Sequence, residues 1–372
     1  MISRDFALRG LLGLALAAAA APQAMALDEV IRRSTEKSAQ GDIESVSRTE
    51  VVVKPRVGEA ITVPANDIVD VNYDAAPPAQ TLARSQEANG QFDLAIKSYQ
   101  QAASESAAAD ANLQAEIAFS IARTNAKIAL ADPAQLPDAQ AGLLAFTESN
   151  RDHYRFYEAQ LLLGDVALAN SDLTAANAAY SVLADAPWAD HQMAGEIGKA
   201  RILFARDDIA GAKEAFDKVA ATDAADAGQL SRKLEGMLGQ AKCLQAQSQH
   251  DQAVVILDEV VSQSSERDTR LQAEAYLRQG ESFAALGDRV KEAILAYLHV
   301  DVVPTLSQHG DFHAEALYHL AQLWPAAGQR TVTPSRAPRS ASSTRSRLPR
   351  VPRPTGRGEP FVGGVLLRPA WP

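Results

Sequence analysis

The chain has 372 residues, of which 47% are hydrophobic and only 6% aromatic, a balance that suits closely packed helices and disfavours a β-sandwich or an aromatic-lined ligand pocket. The formal charge of −10 is unevenly spread: residues 27–329 hold 44 acidic and 25 basic side chains, whereas residues 330–372 hold nine arginines and one acid. An acidic body excludes nucleic acid as the main partner, because phosphate binding needs a basic surface.

In chain order, Arg4 and Arg9 precede an apolar run at 11–21 and then Ala24-Met25-Ala26. Charged, apolar and small residues in that order predict a secretory signal at 1–26, with an apolar core too short to span a bilayer. Cleavage is expected after Ala26, giving an exported protein, periplasmic or extracellular, with no stable membrane insertion. The single cysteine, Cys243, excludes an internal disulfide, so stability must come from burial.

Residues 27–78 contain the β-branched runs 50–53, 60–63 and 68–71, separated by turn signals at Gly58 and 64–67. They predict a small β-rich unit of three or four antiparallel strands that leans on whatever follows. From residue 79 the period becomes helical. Segments ending on Ala83, Ala122, Gly164, Ala200, Ala241, Gly280 and Ala321 resemble one another at intervals of 36 to 42 residues. A second pattern recurs in phase, a small residue followed four and seven positions on by apolar ones: Ala95, Tyr99, Ala102; Ala139, Leu143, Phe146; Ala176, Tyr180, Leu183; Ala212, Phe216, Val219; Ala253, Leu257, Val260; Ala293, Tyr297, Val300. That spacing puts each trio on one helical face. Each unit therefore reads as two helices, and the period as an α-solenoid over 79–329.

Leu163-Gly164 followed by Ala176, Tyr180 and Pro187, and Asn89-Gly90-Gln91-Phe92 leading to Ala95 and Tyr99, resemble the tetratricopeptide repeat family. The resemblance implies a mainly α fold, a solenoid of helix pairs whose first helices line a concave groove. Its units here are longer than the family's 34 residues, and the aromatic early in the family's first helix is mostly missing.

A seventh unit starts at 311–323 without a partner helix, and a Pro, Ser and Arg-rich stretch at 330–372 follows, a composition that predicts disorder. It reads as a basic arm for an acidic partner or as the product of a shifted reading frame. There is no phosphate-binding glycine loop, HExxH, paired CxxC or serine elbow. His309 and His313 are four apart but lack a third ligand, with Gly310 and Asp311 marking a helix start between them, so neither a metal nor another cofactor is expected. Cys243 reads as a small buried hydrophobe. Tyr154, Phe156 and Tyr157, beside His153 and Arg155, read as an inter-unit contact or as a peptide or sugar platform, and Trp188 as a wedge between units.

Glu116, Glu158, Glu235, Glu274 and Glu315 fall at the same place early in their first helices. A row of carboxylates along a groove would draw a basic protein or peptide. Two turns on stand Arg84, Arg123, Arg201 and Lys242, but also Asp165 and Glu281; the bases would instead neutralise the row from adjacent units. Leu161, Phe204 and Leu277, with Ile197 and Leu238, are the apolar candidates for the same groove. The expected function is a non-catalytic, exported scaffold binding a protein or peptide. The rival is a structural envelope component that self-associates into homo-oligomers.

Overall fold

The computed structural model describes residues 27–34, 37–108 and 110–328; the signal segment expected at 1–26 and the tail expected at 330–372 lie outside the described residues. Five strands come first: β1 Asp28–Arg32, β2 Ala39–Val46, β3 Glu50–Lys54, β4 Ile61–Pro64 and β5 Ile68–Asn72. Every pairing is antiparallel and the spatial order is β4-β3-β2-β1-β5. The three runs read from the sequence correspond to β3, β4 and β5, so the expectation of three or four strands was short. β1 and β2 escape it because DEVIR and AQGDIESV carry few β-branched residues; they are held by ladders on both sides more than by their own propensity.

Val30, Val51, Val53, Val63 and Val71 form the buried face of the sheet and share one core with Tyr73, Ala83, Tyr99, Leu113, Ile117 and Tyr154. A sheet of this size could not bury enough surface alone. The outer strand β5 has two of its carbonyls bound by arginine side chains in place of a sixth strand: Arg84 Nη2 donates to Val71 O (2.8 Å) and Arg155 Nη1 to Val69 O (3.3 Å).

Six helix pairs follow: α1 Pro78–Ala88 with α2 Phe92–Glu105, α3 Ala111–Ala131 with α4 Leu136–Ser149, α5 Phe156–Ala169 with α6 Leu173–Ala184, α7 Ala189–Ala205 with α8 Ile209–Ala220, α9 Ala227–Ala246 with α10 His250–Gln263, and α11 Thr269–Leu286 with α12 Val290–Val302. A short α13, Pro304–Ser307, leads into α14, Gly310–Gly328. The mainly α fold, a solenoid of tetratricopeptide-like pairs behind a β-rich unit, is as the sequence implied. All eighteen residues of the second-helix pattern are buried.

The pattern has a steric cause. A Cβ added at Gly164 or at Gly198 would overlap the Tyr180 ring, so this ring from α6 enters between α5 and α7 where neither helix carries a side chain. Phe216 stands in the same relation to Gly239, and Tyr297 to Gly280. Ala321, the small residue of α14, is exposed, because among the described residues no second helix follows to fill that place. Five of the six pairs turn through a left-handed residue, Gly90, Ser171, Asp207, Ser248 or Gly287. After two of these, an aspartate caps the second helix: Asp172 accepts from the Ala175 N–H and Asp208 from the Gly211 N–H, both at 3.0 Å. Among the described residues no helix is long and apolar enough to cross a membrane.

Candidate functional site

The five glutamates do sit at one register, and each has a base beside it. Glu116 is only 1% exposed; it binds Arg155 at 2.9 Å, accepts from the Tyr154 hydroxyl, and has Arg84 at 3.8 Å. Glu158 pairs with Arg155 at 2.7 Å, Glu235 with Arg232 at 2.6 Å, and Glu274 with Lys242 at 2.6 Å. Glu315 lies 3.5 Å from Arg278 and 4.0 Å from His319. In three cases the base comes from the preceding unit: Arg84 for Glu116, Lys242 for Glu274, Arg278 for Glu315. Arg123 and Arg201 turn the other way, to Glu87 and Asp165. The row is thus a self-neutralised ladder and not a line of free carboxylates.

The apolar candidates separate. Leu277, Ile197 and Leu238 are buried in the inter-helix core and offer a partner no surface, because spacing alone does not tell an inward helical face from a groove face. Leu161 and Phe204 are half-buried and remain accessible in part.

Arg155, passed over in the sequence as one charge among aromatics, is the hub of the site. Its guanidinium is almost fully buried and binds Glu116, Glu158 (2.7 Å), Asp70 on β5 (3.1 Å) and the Val69 carbonyl, so one side chain joins sheet, α3 and α5. The available signal was an isolated arginine inside the run His153-Tyr154-Arg155-Phe156-Tyr157, whose rings exclude water from it. Further contacts extend the sheet across the first helices: Asn66 Nδ2 donates to Asp190 of α7 (3.2 Å), and Arg267, before α11, reaches the Arg33 carbonyl (3.4 Å). Arg48 lies over the Phe156 and Tyr157 rings.

Where the sheet meets these helices a cleft of about 70 Å³ opens. Tyr154, Tyr157, Leu161, Leu183 and Ala194 are among the side chains that line it, together with the polar Arg33, Asn66, Arg155, Glu158, His191 and Arg232. Trp188 stacks edge-on near Tyr157 (5.6 Å) and against His191 (5.2 Å). The aromatic group therefore supports the inter-unit contact and lines the cleft at once.

The remaining candidates are placed plainly. Cys243 is buried and burial pushes its thiol up to about 12, which suits an inert core thiol. His309 is within 2.9 Å of the Thr269 hydroxyl and His313 within 2.8 Å of Asp301, so the two turn to different partners.

Burial alone would raise the carboxyls of Glu116, Glu87 and Glu274, but the bases beside them overcome it. Arg155, with the Tyr154 hydroxyl, brings Glu116 down to about 2; Arg123 and Lys127 do the same for Glu87, and Lys242 and Arg278 for Glu274. His153 is lowered to about 4, chiefly by burial. In the unfolded chain these groups titrate near their ordinary values of about 4.3 and 6.5. As pH falls the unfolded chain therefore takes up protons first, and stability is lost, from His153 between about 6.5 and 4 and from the glutamates between about 4.3 and 2. Melting temperature should fall continuously through that window. A flat profile down to about pH 3 would contradict the pairing.

Residues 235–266 match the family model of the tetratricopeptide repeat; this stretch spans most of α9 and α10. No curated protein matches the chain. Among solved structures the chain is similar to a Rap protein complexed with competence and sporulation factor, at 14% identity over 66% of this chain and 75% of that one, TM-score 0.43. It is also similar to the apo form of RapI, at 10% identity over 67% and 70% of the two chains, TM-score 0.41. Similarity to the TPR2AB domain of yeast Sti1 in its pHSP90 complex is at 14% identity over 68% and 97%, TM-score 0.27. The matched unit is one of six helix pairs among the described residues, and the array is a solenoid of tetratricopeptide-like pairs.

Proposed function

We propose that this is an exported, non-catalytic scaffold that holds a short segment of a protein or peptide on its first-helix face, against the edge of the N-terminal sheet. Packing of successive first helices on one another, from α3 on α5 to α11 on α14, supports placing that face inside the curve of the array. The observation that carries the reading is the cleft of Tyr157, Leu161, His191, Arg33 and Arg232, where apolar and polar side chains line one concavity. The ladder carries little unbalanced charge, so recognition rests on this cleft and on hydrogen bonds more than on a basic partner. A basic segment would have to displace Arg155, Arg232 or Arg278 from its carboxylates.

The test is to select peptides on the full chain from a random library and measure their binding to Leu161→Arg, which projects a charge into the cleft from a half-buried position. Affinity should fall at least about tenfold with the melting curve little changed. Selected peptides that bind the variant equally well would place recognition elsewhere. Self-association is the second reading, favoured by Leu317, Tyr318 and Trp324, all exposed on α14. Sedimentation over a range of concentration distinguishes it.

A further inference from the structure

Two polar triads recur along the array with the same parts. The Tyr99 hydroxyl donates to Glu87 (2.8 Å), which Arg123 of the next first helix also binds (2.8 Å). The Tyr180 hydroxyl donates to Asp165 (2.7 Å), which Arg201 of the next first helix reaches at 3.2 Å. Each joins a second-helix tyrosine, a carboxylate of the first helix before it and a base of the first helix after it.

A third tyrosine, Tyr297 on α12, breaks the series. It packs against Gly280, next to Glu281 in the chain, as Tyr180 packs against Gly164, next to Asp165. The side chain is completely buried, yet the hydroxyl has no hydrogen-bond partner. The register position of Arg201 is held in α14 by Gln322. What α14 does bring is Glu315 and His319, and one ligand atom from each of Glu281, Glu315 and His319 lies within 4.8 Å of the others. The His319 ring stacks on Tyr297, 4.9 Å between centroids and 12° from parallel.

We propose that Glu281, Glu315 and His319 form a divalent metal site, selective for zinc, that ties α14 to α11. One imidazole with two carboxylates is a nitrogen and oxygen set that suits zinc, whereas magnesium and calcium favour oxygen alone. Tetrahedral zinc holds its ligand atoms about 3.4 Å apart, so the three side chains must close by up to about 1.4 Å. All three are half-buried. Arg278 is the built-in competitor: it binds Glu281 and lies 3.5 Å from Glu315 and 3.9 Å from Glu274. When zinc takes Glu281 and Glu315, Arg278 keeps Glu274.

The experiment is calorimetric titration and thermal melting of the full chain with zinc chloride, with magnesium chloride as control. One zinc per chain is expected, with a higher melting temperature and no response to magnesium. His319→Ala, and separately Glu315→Gln, should abolish both effects while circular dichroism stays unchanged. Arg278→Met should bind zinc about tenfold more tightly, since a positive charge beside the ion is gone, and zinc should restore the melting temperature that this variant loses. Zinc binding retained in both His319→Ala and Glu315→Gln would put the ion at another of the seven histidines and overturn the assignment. So would the absence of any zinc response in both the wild type and Arg278→Met.

Discussion

Tyr180→Ala is expected to destabilise the chain by about 3–5 kcal/mol, the range for removing a large buried ring. The ring fills the space that Gly164 and Gly198 leave between two first helices, so its loss opens a cavity that neither glycine can fill. The hydroxyl is a separate and smaller contribution. Tyr180→Phe keeps the packing and removes the hydroxyl that donates to Asp165, which Arg201 still holds, and should cost about 1 kcal/mol. Because repeat arrays respond mainly to neighbouring contacts, hydrogen exchange should rise most in α5, α6 and α7 and least in α11 and α12. Equal costs for the two variants would mean that the ring is not the wedge between units.

That wedge was legible in the sequence because it combines two needs of opposite size. A small residue on the first helix and a ring or leucine four positions into the second helix's pattern recur at fixed phase, and where the small residue is Gly164 or Gly280 the ring leaves no space for a side chain. Ala83, Ala122, Ala200 and Ala241 belong to the same code as Gly164 and Gly280. The sheet was half legible: β3, with Val51 and Val53 inward, shows the period of a strand, while β1 and β2 are defined by partners distant in sequence. The site was less legible still. The phase of the glutamates was evident, but whether a carboxylate is free depends on which base the neighbouring unit points at it, and Arg84 and Arg123 sit at one register yet turn to opposite neighbours. Leu277 and Leu161 likewise look alike in a helical pattern, and only packing separates the buried one from the half-exposed one.

Arg155→Met tests whether the sheet and the array are one unit. The substitution keeps most of the side-chain volume while removing the charge that Glu116, Glu158 and Asp70 share. Glu116 would remain 1% exposed, with the Tyr154 hydroxyl still donating to it but its nearest guanidinium now that of Arg84, at 3.8 Å, and stranding a buried partner in this way costs about 3–5 kcal/mol. The pH response carries the sharper signature. In the wild type Glu116 is more acidic folded than unfolded, so protonation at low pH weakens the fold. Without Arg155 burial dominates and the folded pKa rises above the unfolded value, so the carboxyl takes up its proton more readily when folded and part of the lost stability returns as pH falls through that raised value. The gap in melting temperature between variant and wild type should therefore narrow from pH 7 to about pH 5. Arg155→Met combined with Glu116→Gln removes both charges and should recover much of the loss at pH 7, because the penalty lies in the unpaired carboxylate more than in the missing bond. If the double variant is no more stable than the single one, the contribution of Arg155 runs instead through β5, where it binds Asp70 and the Val69 carbonyl, and faster proteolysis within residues 27–72 should accompany both variants equally.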